Sequence, residues 1–129
     1  MEPYATDRRP GLTLALVSAL GAIACSIAGA AAADAEHGRA LLRACAACHS
    51  ERPDSIGPTL RGVYGRPSAS VEGFRYSAAM MRAKLTWDDA NLRDYLKDPQ
   101  AKVKGNRMPF GGLDPSDVDD LVAYLKEYK

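Results

Sequence analysis

The clearest pattern of apolar and polar residues lies near the C-terminus. Apolar side chains recur there at positions i, i+3, i+4 and i+7: Val118, Leu121, Val122 and Leu125. This spacing places them along one face of an α-helix. Asp114 is a suitable N-cap, and Pro115 fits the first turn, where its missing N–H leaves no intrahelical bond unmade. The pattern therefore predicts an amphipathic helix that begins after Asp114 and packs its apolar face inward.

Two shorter helices are predicted earlier in the chain. Asp34 can cap a helix that runs to about Cys45. Ser77 can cap a second helix, which contains the adjacent residues Met80 and Met81. Adjacent residues point in different directions on a helix, so we expect one of these methionines to be buried and the other to be more exposed.

A fourth helix is predicted between Thr86 and Pro99. Its inner face is apolar: Leu92, Tyr95 and Leu96. Thr86 is the predicted N-cap, and Pro99 ends the helix because proline has no N–H to donate. Residues 50–70 and 100–113 contain several glycines and prolines and are predicted to be loops. The predicted fold class is all-α, with several short helices joined by loops.

The first 33 residues have the composition of an export signal. Arg8 and Arg9 precede an uncharged run of 23 residues, 11–33, which is rich in Leu, Ala, Ile and Val and ends in small residues. This layout predicts a secretory signal peptide that is cleaved after Ala33. The run is also long enough to span a bilayer, so an uncleaved anchor is the alternative. In either case residues 34–129 form the folded domain, either in the periplasm or anchored to the periplasmic face of the inner membrane.

Length and charge limit the functions that this domain can have. The chain has 129 residues, which favours a single domain, and its formal net charge is +1. Such a balance gives no strong field to attract nucleic acid. The 96 residues from position 34 onward can bury only a modest core of their own. A large apolar cofactor would therefore also serve the folding of the domain.

The sequence Cys-Ala-Ala-Cys-His at residues 45–49 carries the candidate chemistry. Two thiols at this spacing, followed directly by an imidazole, are typical of a c-type haem attachment site. Cys45 and Cys48 can each add to one vinyl group of the porphyrin to form a thioether. His49 then lies where its ring can reach the iron as an axial ligand. The motif predicts one covalently bound haem c.

Three other interpretations of these cysteines are possible. A structural zinc site needs about four ligands, and the chain offers only Cys25, in the predicted signal, and His37 as further Cys and His residues. A redox-active dithiol needs a βαβ context, and no strand-like alternation flanks the motif. A disulfide between Cys45 and Cys48 would leave His49 without a role. The haem interpretation is therefore favoured.

The second axial ligand decides what such a haem can do. Iron with an open position can bind oxygen or peroxide, whereas iron with two protein ligands mainly passes electrons. His37 lies on the same predicted helix as the motif, so its ring should not reach the opposite face of the haem. Met108 lies in a loop with glycines and a proline and is the predicted ligand, with Met80 and Met81 as runners-up. The alternative role of Met108 is to fill a gap in the core.

Residues 35–129 resemble class I cytochrome c along nearly their whole length. The haem motif matches that of the family, and Met108 falls on its axial methionine. Five more positions match residues that surround the haem in that family: Pro58, Arg66, Tyr76, Trp87 and Tyr95. The resemblance therefore implies the small cytochrome c fold and adds these five residues to the predicted site.

The resemblance implies a role for each of these residues. The carbonyl of Pro58 would accept a hydrogen bond from the proximal imidazole. Arg66 would lie near a haem propionate, to which Tyr76 and Trp87 would donate hydrogen bonds. Tyr95 would sit beside the methionine sulfur. The C-terminal helix would cross the first helix near Gly38.

The function implied by the resemblance is single-electron transfer between redox proteins, without enzymatic activity. The expected donor is a quinol:cytochrome c oxidoreductase or a dehydrogenase, and the expected acceptor is a terminal oxidase or another reductase. The carrier is expected to be a monomer that binds no nucleic acid and meets the membrane only if residues 1–33 are retained. The alternative is a haem c subunit of a larger dehydrogenase or oxidase complex.

The chain also departs from the family pattern. The loop after the haem motif is short, and Leu41 and Leu42 stand where many relatives have an aromatic residue. The ring of lysines around the haem edge of mitochondrial relatives is only partly present. A local basic patch is predicted from four residues: Arg43, Lys102, Lys104 and Arg107. A partner with an acidic docking face would suit this patch.

Overall fold

The computed structural model describes residues 32–129. The predicted signal peptide or anchor, with Arg8, Arg9 and Cys25, therefore lies outside the described residues, except for the last two positions of residues 1–33. The described chain forms helices α1 (Ala35–Cys45), α2 (Ala78–Ala83), α3 (Asp89–Lys97), α4 (Pro99–Lys102) and α5 (Pro115–Glu127). None of these helices is long and apolar enough to cross a membrane. The all-α prediction is confirmed, and the extended pairing within residues 32–129 is limited to one isolated bridge.

Side-chain caps fix where the first two helices begin. The Asp34 carboxylate accepts hydrogen bonds from the backbone N–H groups of Glu36 and His37, at 2.9 and 3.1 Å. The Ser77 hydroxyl accepts one from the N–H of Met80 at 3.1 Å. These bonds satisfy N–H groups that have no partner within the helix. Both predicted caps are confirmed.

The helix that was predicted between Thr86 and Pro99 is α3, and its predicted start is wrong by two residues. The N-cap of α3 is Asp88, whose carboxylate accepts from the N–H of Asn91 at 2.8 Å, and not Thr86. Thr86 instead forms an antiparallel bridge with Pro67, and the N–H of Trp87 donates to the carbonyl of Arg66 at 2.9 Å. This pairing keeps the chain extended through Trp87, so that the helix can begin only after it.

The segment after Pro99 is partly helical, which corrects the prediction of a loop over 100–113. Asp98 closes α3 and caps α4, where its carboxylate accepts from the N–H of Ala101 at 2.9 Å. Pro99 ends one helix and occupies the first position of the next, a position that needs no N–H. The remaining residues, 103–113, form the loop that carries Met108.

The core is built mainly from α3, α5 and the loop segments that cover them. Its buried apolar side chains are Val63, Met80, Trp87, Leu92, Tyr95, Leu96, Val103, Val118, Leu121, Val122 and Leu125. The apolar face predicted for α5 is thus confirmed. The two methionines of α2 also differ as expected, since Met80 is 8% exposed and Met81 is 57% exposed.

Helices α1 and α5 cross in close contact at Gly38. A Cβ atom at this position would overlap the backbone carbonyl of Asp120 and lie 2.9 Å from the Cβ of Tyr124. Beside this crossing, the His37 Nδ1 lies 2.8 Å from Oδ2 of Asp120, and the N–H of Asp34 donates to the other carboxylate oxygen at 2.6 Å. The beginning of the motif-bearing helix is therefore tied directly to α5.

Candidate haem-binding site

The cysteine motif lies at the end of α1. Cys45 is the last residue of the helix, and the chain then turns so that the N–H of His49 donates to the carbonyl of Cys45 at 2.9 Å. Both thiols are free, so the disulfide alternative is not formed. Cys45 is partly buried, which raises the pKa of its thiol, and Cys48 is exposed. The turn presents two sulfur atoms and one imidazole from five consecutive residues.

The imidazole of His49 is held in one tautomer. Its Nδ1 lies 2.7 Å from the carbonyl oxygen of Pro58. A carbonyl can only accept a hydrogen bond, so Nδ1 carries a proton, and in the neutral ring this tautomer leaves the lone pair on Nε2. Neutral Nε2 is the form of histidine that coordinates iron, and a hydrogen bond at the other nitrogen fixes the orientation of the ring.

The loop after the motif folds back onto it and supports the imidazole. The Ser55 hydroxyl and the Gly57 N–H both donate to the carbonyl of Cys48, at 2.6 and 2.7 Å. A Cβ atom at Gly57 would lie 2.5 Å from Cε1 and 2.6 Å from Nδ1 of His49. The backbone therefore packs directly on the ring, and only glycine leaves enough space there.

Met108 is half-buried in the loop between α4 and α5 and packs against the core. Its backbone N–H donates to the side-chain oxygen of Asn106 at 2.8 Å. Further along, the N–H of Leu113 donates to the carbonyl of Leu96 at 3.0 Å, which returns the chain to α3. The loop is thus held at both ends, and its methionine lies between two fixed points.

Arg66 and Tyr76 are both anchored by backbone contacts. The guanidinium of Arg66 donates to the carbonyls of Thr59 and Arg61, at 2.8 and 3.0 Å. The hydroxyl of Tyr76 accepts from the N–H of Val71 at 3.1 Å, which leaves its own proton available to an acceptor. These contacts fix the side chains, and the propionate contacts implied by the resemblance stay a prediction.

Trp87 and Tyr95 form one aromatic pair in the core. Their ring centroids are 5.0 Å apart, and each side chain is 8% exposed. Burial raises the pKa of the Tyr95 hydroxyl to about 12. The hydroxyl therefore stays protonated at neutral pH and can donate a hydrogen bond.

The residues present fit a c-type haem better than a bare metal ion. Within residues 32–129, no three His, Cys, Asp or Glu side chains come close enough to hold a metal ion. The motif instead offers two free thiols for thioether bonds and one imidazole whose free nitrogen can bind iron. Several apolar side chains that pack on the core remain partly exposed, among them Leu41, Leu85 and Met108. A large apolar group would cover such side chains and gain their burial energy.

The four side chains of the predicted basic patch differ in their ion pairing. Lys102 is paired with Asp94 at 2.8 Å, so its charge is offset. Among the described residues, Arg43, Lys104 and Arg107 form no ion pair. The guanidinium of Arg107 donates to the backbone carbonyl of Tyr76 at 3.2 Å.

Comparison with known proteins decides the family. The sequence model of the family described as Cytochrome c matches residues 35–129. The chain belongs to the cytochrome c family. This cytochrome c is 42% identical to cytochrome c2 of Blastochloris viridis over 117 residues, which cover 88% of this chain and 92% of that protein. It is 40% identical to cytochrome c-550 of Nitrobacter winogradskyi over 99 residues, 74% of this chain and 91% of that one.

Comparison with a solved structure also indicates a cytochrome c. Cytochrome cH from Methylobacterium extorquens superposes with a TM-score of 0.69 and 43% sequence identity, covering 73% of this chain and 98% of that chain. The protein therefore has the small all-α cytochrome c fold. It is an electron-transfer protein that carries a covalently bound haem c and exchanges electrons with redox partners.

Two residues of this cytochrome c site escaped the sequence-based prediction. Ser55 bonds to the carbonyl of Cys48, and Asn106 accepts from the N–H of Met108. An asparagine two positions before the methionine is a turn signal that could have indicated the second contact. No local signal distinguishes Ser55 from any other serine in a loop.

Proposed function

We propose that this cytochrome c carries single electrons on a haem attached through Cys45 and Cys48, with His49 and Met108 as the axial ligands. The observation that carries the proposal is the bond from Nδ1–H of His49 to Pro58, which leaves Nε2 free to coordinate. When bound, the haem supplies one-electron chemistry by cycling between Fe(II) and Fe(III). With His49 and Met108 both holding the iron, no position would be left for a substrate, and the protein would act as a carrier and not as an enzyme.

The chain's own residues would tune this exchange. The Pro58 carbonyl increases the electron donation of the His49 ring, which favours the oxidised form, whereas a neutral thioether from Met108 favours the reduced form. Arg66, with Tyr76 and Trp87 as donors, would stabilise the negative charge of a propionate. The hydroxyl of Tyr95 would donate toward the methionine sulfur. Apolar packing would keep the charge change in a medium of low dielectric constant.

The test is the substitution Met108→Ala. We expect the reduction potential to fall and the ferrous protein to bind carbon monoxide rapidly, because a strong protein ligand has been removed. Met81→Ala is the matched control: its side chain is 57% exposed, so we expect both properties to stay at the wild-type values. An unchanged potential and no carbon monoxide binding in Met108→Ala would rule Met108 out as a ligand.

We also propose that residues 1–33 direct export to the periplasm and are removed, which leaves residues 34–129 as the mature domain. The uncharged run behind Arg8 and Arg9 supports this, and an uncleaved anchor at the periplasmic face remains the alternative. N-terminal sequencing of protein from the periplasmic fraction tests it. A mature chain that begins near Asp34 supports cleavage, whereas a full-length chain in the membrane fraction supports the anchor.

The proposed partners are a quinol:cytochrome c oxidoreductase or a dehydrogenase as donor, and a terminal oxidase or another reductase as acceptor. A free carrier should elute as a monomer in size-exclusion chromatography and reduce or oxidise such partners in stopped-flow mixing. A stable complex with a dehydrogenase or an oxidase on purification would favour the role of a haem c subunit instead.

A further inference from the structure

We propose that Asn106 is a positioning residue for Met108, which holds the methionine loop against α4 and so controls how readily the sulfur leaves the iron. The inference rests on the proposed ligation by Met108. Asn106 is 8% exposed, and only Ser77 is as well buried among the polar residues of the described chain. A buried polar side chain is costly unless it is hydrogen-bonded, and this one is bonded through both ends of its amide.

The Asn106 amide joins two parts of the chain. Its nitrogen donates to the carbonyls of Pro99 and Val103, at 2.8 and 2.9 Å, and these residues lie at the two ends of α4. Its oxygen accepts from the backbone N–H of Met108 at 2.8 Å. These three bonds need two N–H donors and one oxygen acceptor, and the side-chain amide of asparagine supplies all of them.

The two residues that accept from the Asn106 nitrogen are held in the core. Pro99 is among the most completely buried residues of the described chain, and Val103 is 5% exposed. The bond to Met108 closes an Asx-turn, in which an asparagine side chain bonds to the backbone two residues ahead. If the loop moves away, this bond breaks, and the buried amide loses a partner. Asn106 therefore opposes any movement that would withdraw Met108.

The first test is Asn106→Ala in the purified haem-loaded protein. The substitution removes the bond to Met108 and both side-chain bonds to Pro99 and Val103, whose carbonyls keep their backbone partners. Loss of these three bonds should favour withdrawal of the loop from the iron by about tenfold or more. We expect imidazole to bind the ferric protein about tenfold faster or more. The near-infrared band that arises from charge transfer between a sulfur ligand and ferric iron should weaken, and the reduction potential should fall.

Two further variants separate the contacts of the amide. Asn106→Ser keeps a hydroxyl that can accept from Met108 more weakly, so imidazole binding should be intermediate between the wild-type and alanine rates. Asn106→Asp keeps the acceptor but replaces both donors with a charge against two carbonyls. It should bind imidazole at least as fast as the alanine variant. This order also keeps the proposal testable if the alanine variant does not fold.

Two controls distinguish positioning from a general loss of stability. Val122→Ala removes fully buried side-chain atoms from α5 and should lower stability without changing the rate of imidazole binding. Asn91→Ala removes the only other asparagine, whose amide bonds to the carbonyl of Thr86, and should also leave the rate unchanged. If the binding rate in all variants followed only their unfolding free energies, Asn106 would be a structural residue and the proposal would fail.

The outcomes also separate this proposal from the proposed ligation. If Met108→Ala keeps the sulfur band, Met108 is not the ligand, and both proposals fail together. If Met108→Ala loses the band while Asn106→Ala keeps it with the wild-type rate of imidazole binding, the ligation stands and the positioning role is refuted.

Discussion

Gly57→Ala perturbs the histidine side of the site at a defined contact. The added Cβ would lie 2.5 Å from Cε1 of His49, where carbon atoms ordinarily stay about 3.5 Å or more apart. The overlap is therefore about 1 Å. If the ring moves, it gives up the 2.7 Å bond to Pro58, and if the loop moves, it strains the 2.7 Å bond from the Gly57 N–H to Cys48.

The expected cost combines two terms. Overpacking of a tight site costs about 1–3 kcal/mol, and the lost hydrogen bond costs about 1 kcal/mol. We therefore expect Gly57→Ala to lower the free energy of unfolding by about 2–4 kcal/mol. Loss of the bond to Pro58 also makes the imidazole a weaker electron donor, so the reduction potential should rise.

Urea unfolding followed by haem absorbance, together with a redox titration, measures both effects. Gly111→Ala is the matched control, since a Cβ there would meet no atom within 4 Å, and its unfolding free energy should stay within about 0.5 kcal/mol of wild type. Equal unfolding free energies and equal reduction potentials in Gly57→Ala and Gly111→Ala would show that residue 57 does not press on the His49 ring.

Three further substitutions test the framework around the site. Gly38→Ala should destabilise the protein by about 2 kcal/mol or more in urea unfolding, because its Cβ would overlap the carbonyl of Asp120; wild-type stability would contradict this. The hydrogen bond to Asp120 raises the pKa of His37, so wild type should be more stable than His37→Asn below about pH 6.5, and this advantage should be lost as the pH rises through the raised pKa. If the difference in unfolding free energy between the two proteins did not change between about pH 5 and 9, this pairing would be refuted. Tyr95→Phe should remove the tyrosine ionisation near pH 12 from an alkaline absorbance titration, and an unchanged titration would assign that step elsewhere.

The parts of this structure that could be predicted from the sequence depend on short-range chemistry. The haem motif spans five residues, and the apolar face of α5 follows from its spacing alone. The caps at Asp34 and Ser77 were predictable for the same reason, since each bonds to an N–H two or three residues ahead.

The errors arose where distant segments decide local structure. The sequence allowed Thr86 as a cap, but the bridge to Pro67 keeps that segment extended and leaves the role to Asp88. The pairing of His37 with Asp120 joins positions 83 residues apart, and no sequence pattern links them. The partners of Asn106 exist because α4 forms, so a predicted loop over these residues concealed its role.

The axial ligand set is tested most directly by proton NMR of the ferrous protein with isotope-labelled methionine methyl groups. A methionine methyl held over the porphyrin plane gives a resonance that the ring current shifts far upfield. We predict one such resonance, which disappears in Met108→Leu and persists in Met80→Leu and Met81→Leu. A resonance that survives in Met108→Leu, or its absence from the wild-type protein, would contradict an iron held between His49 and Met108.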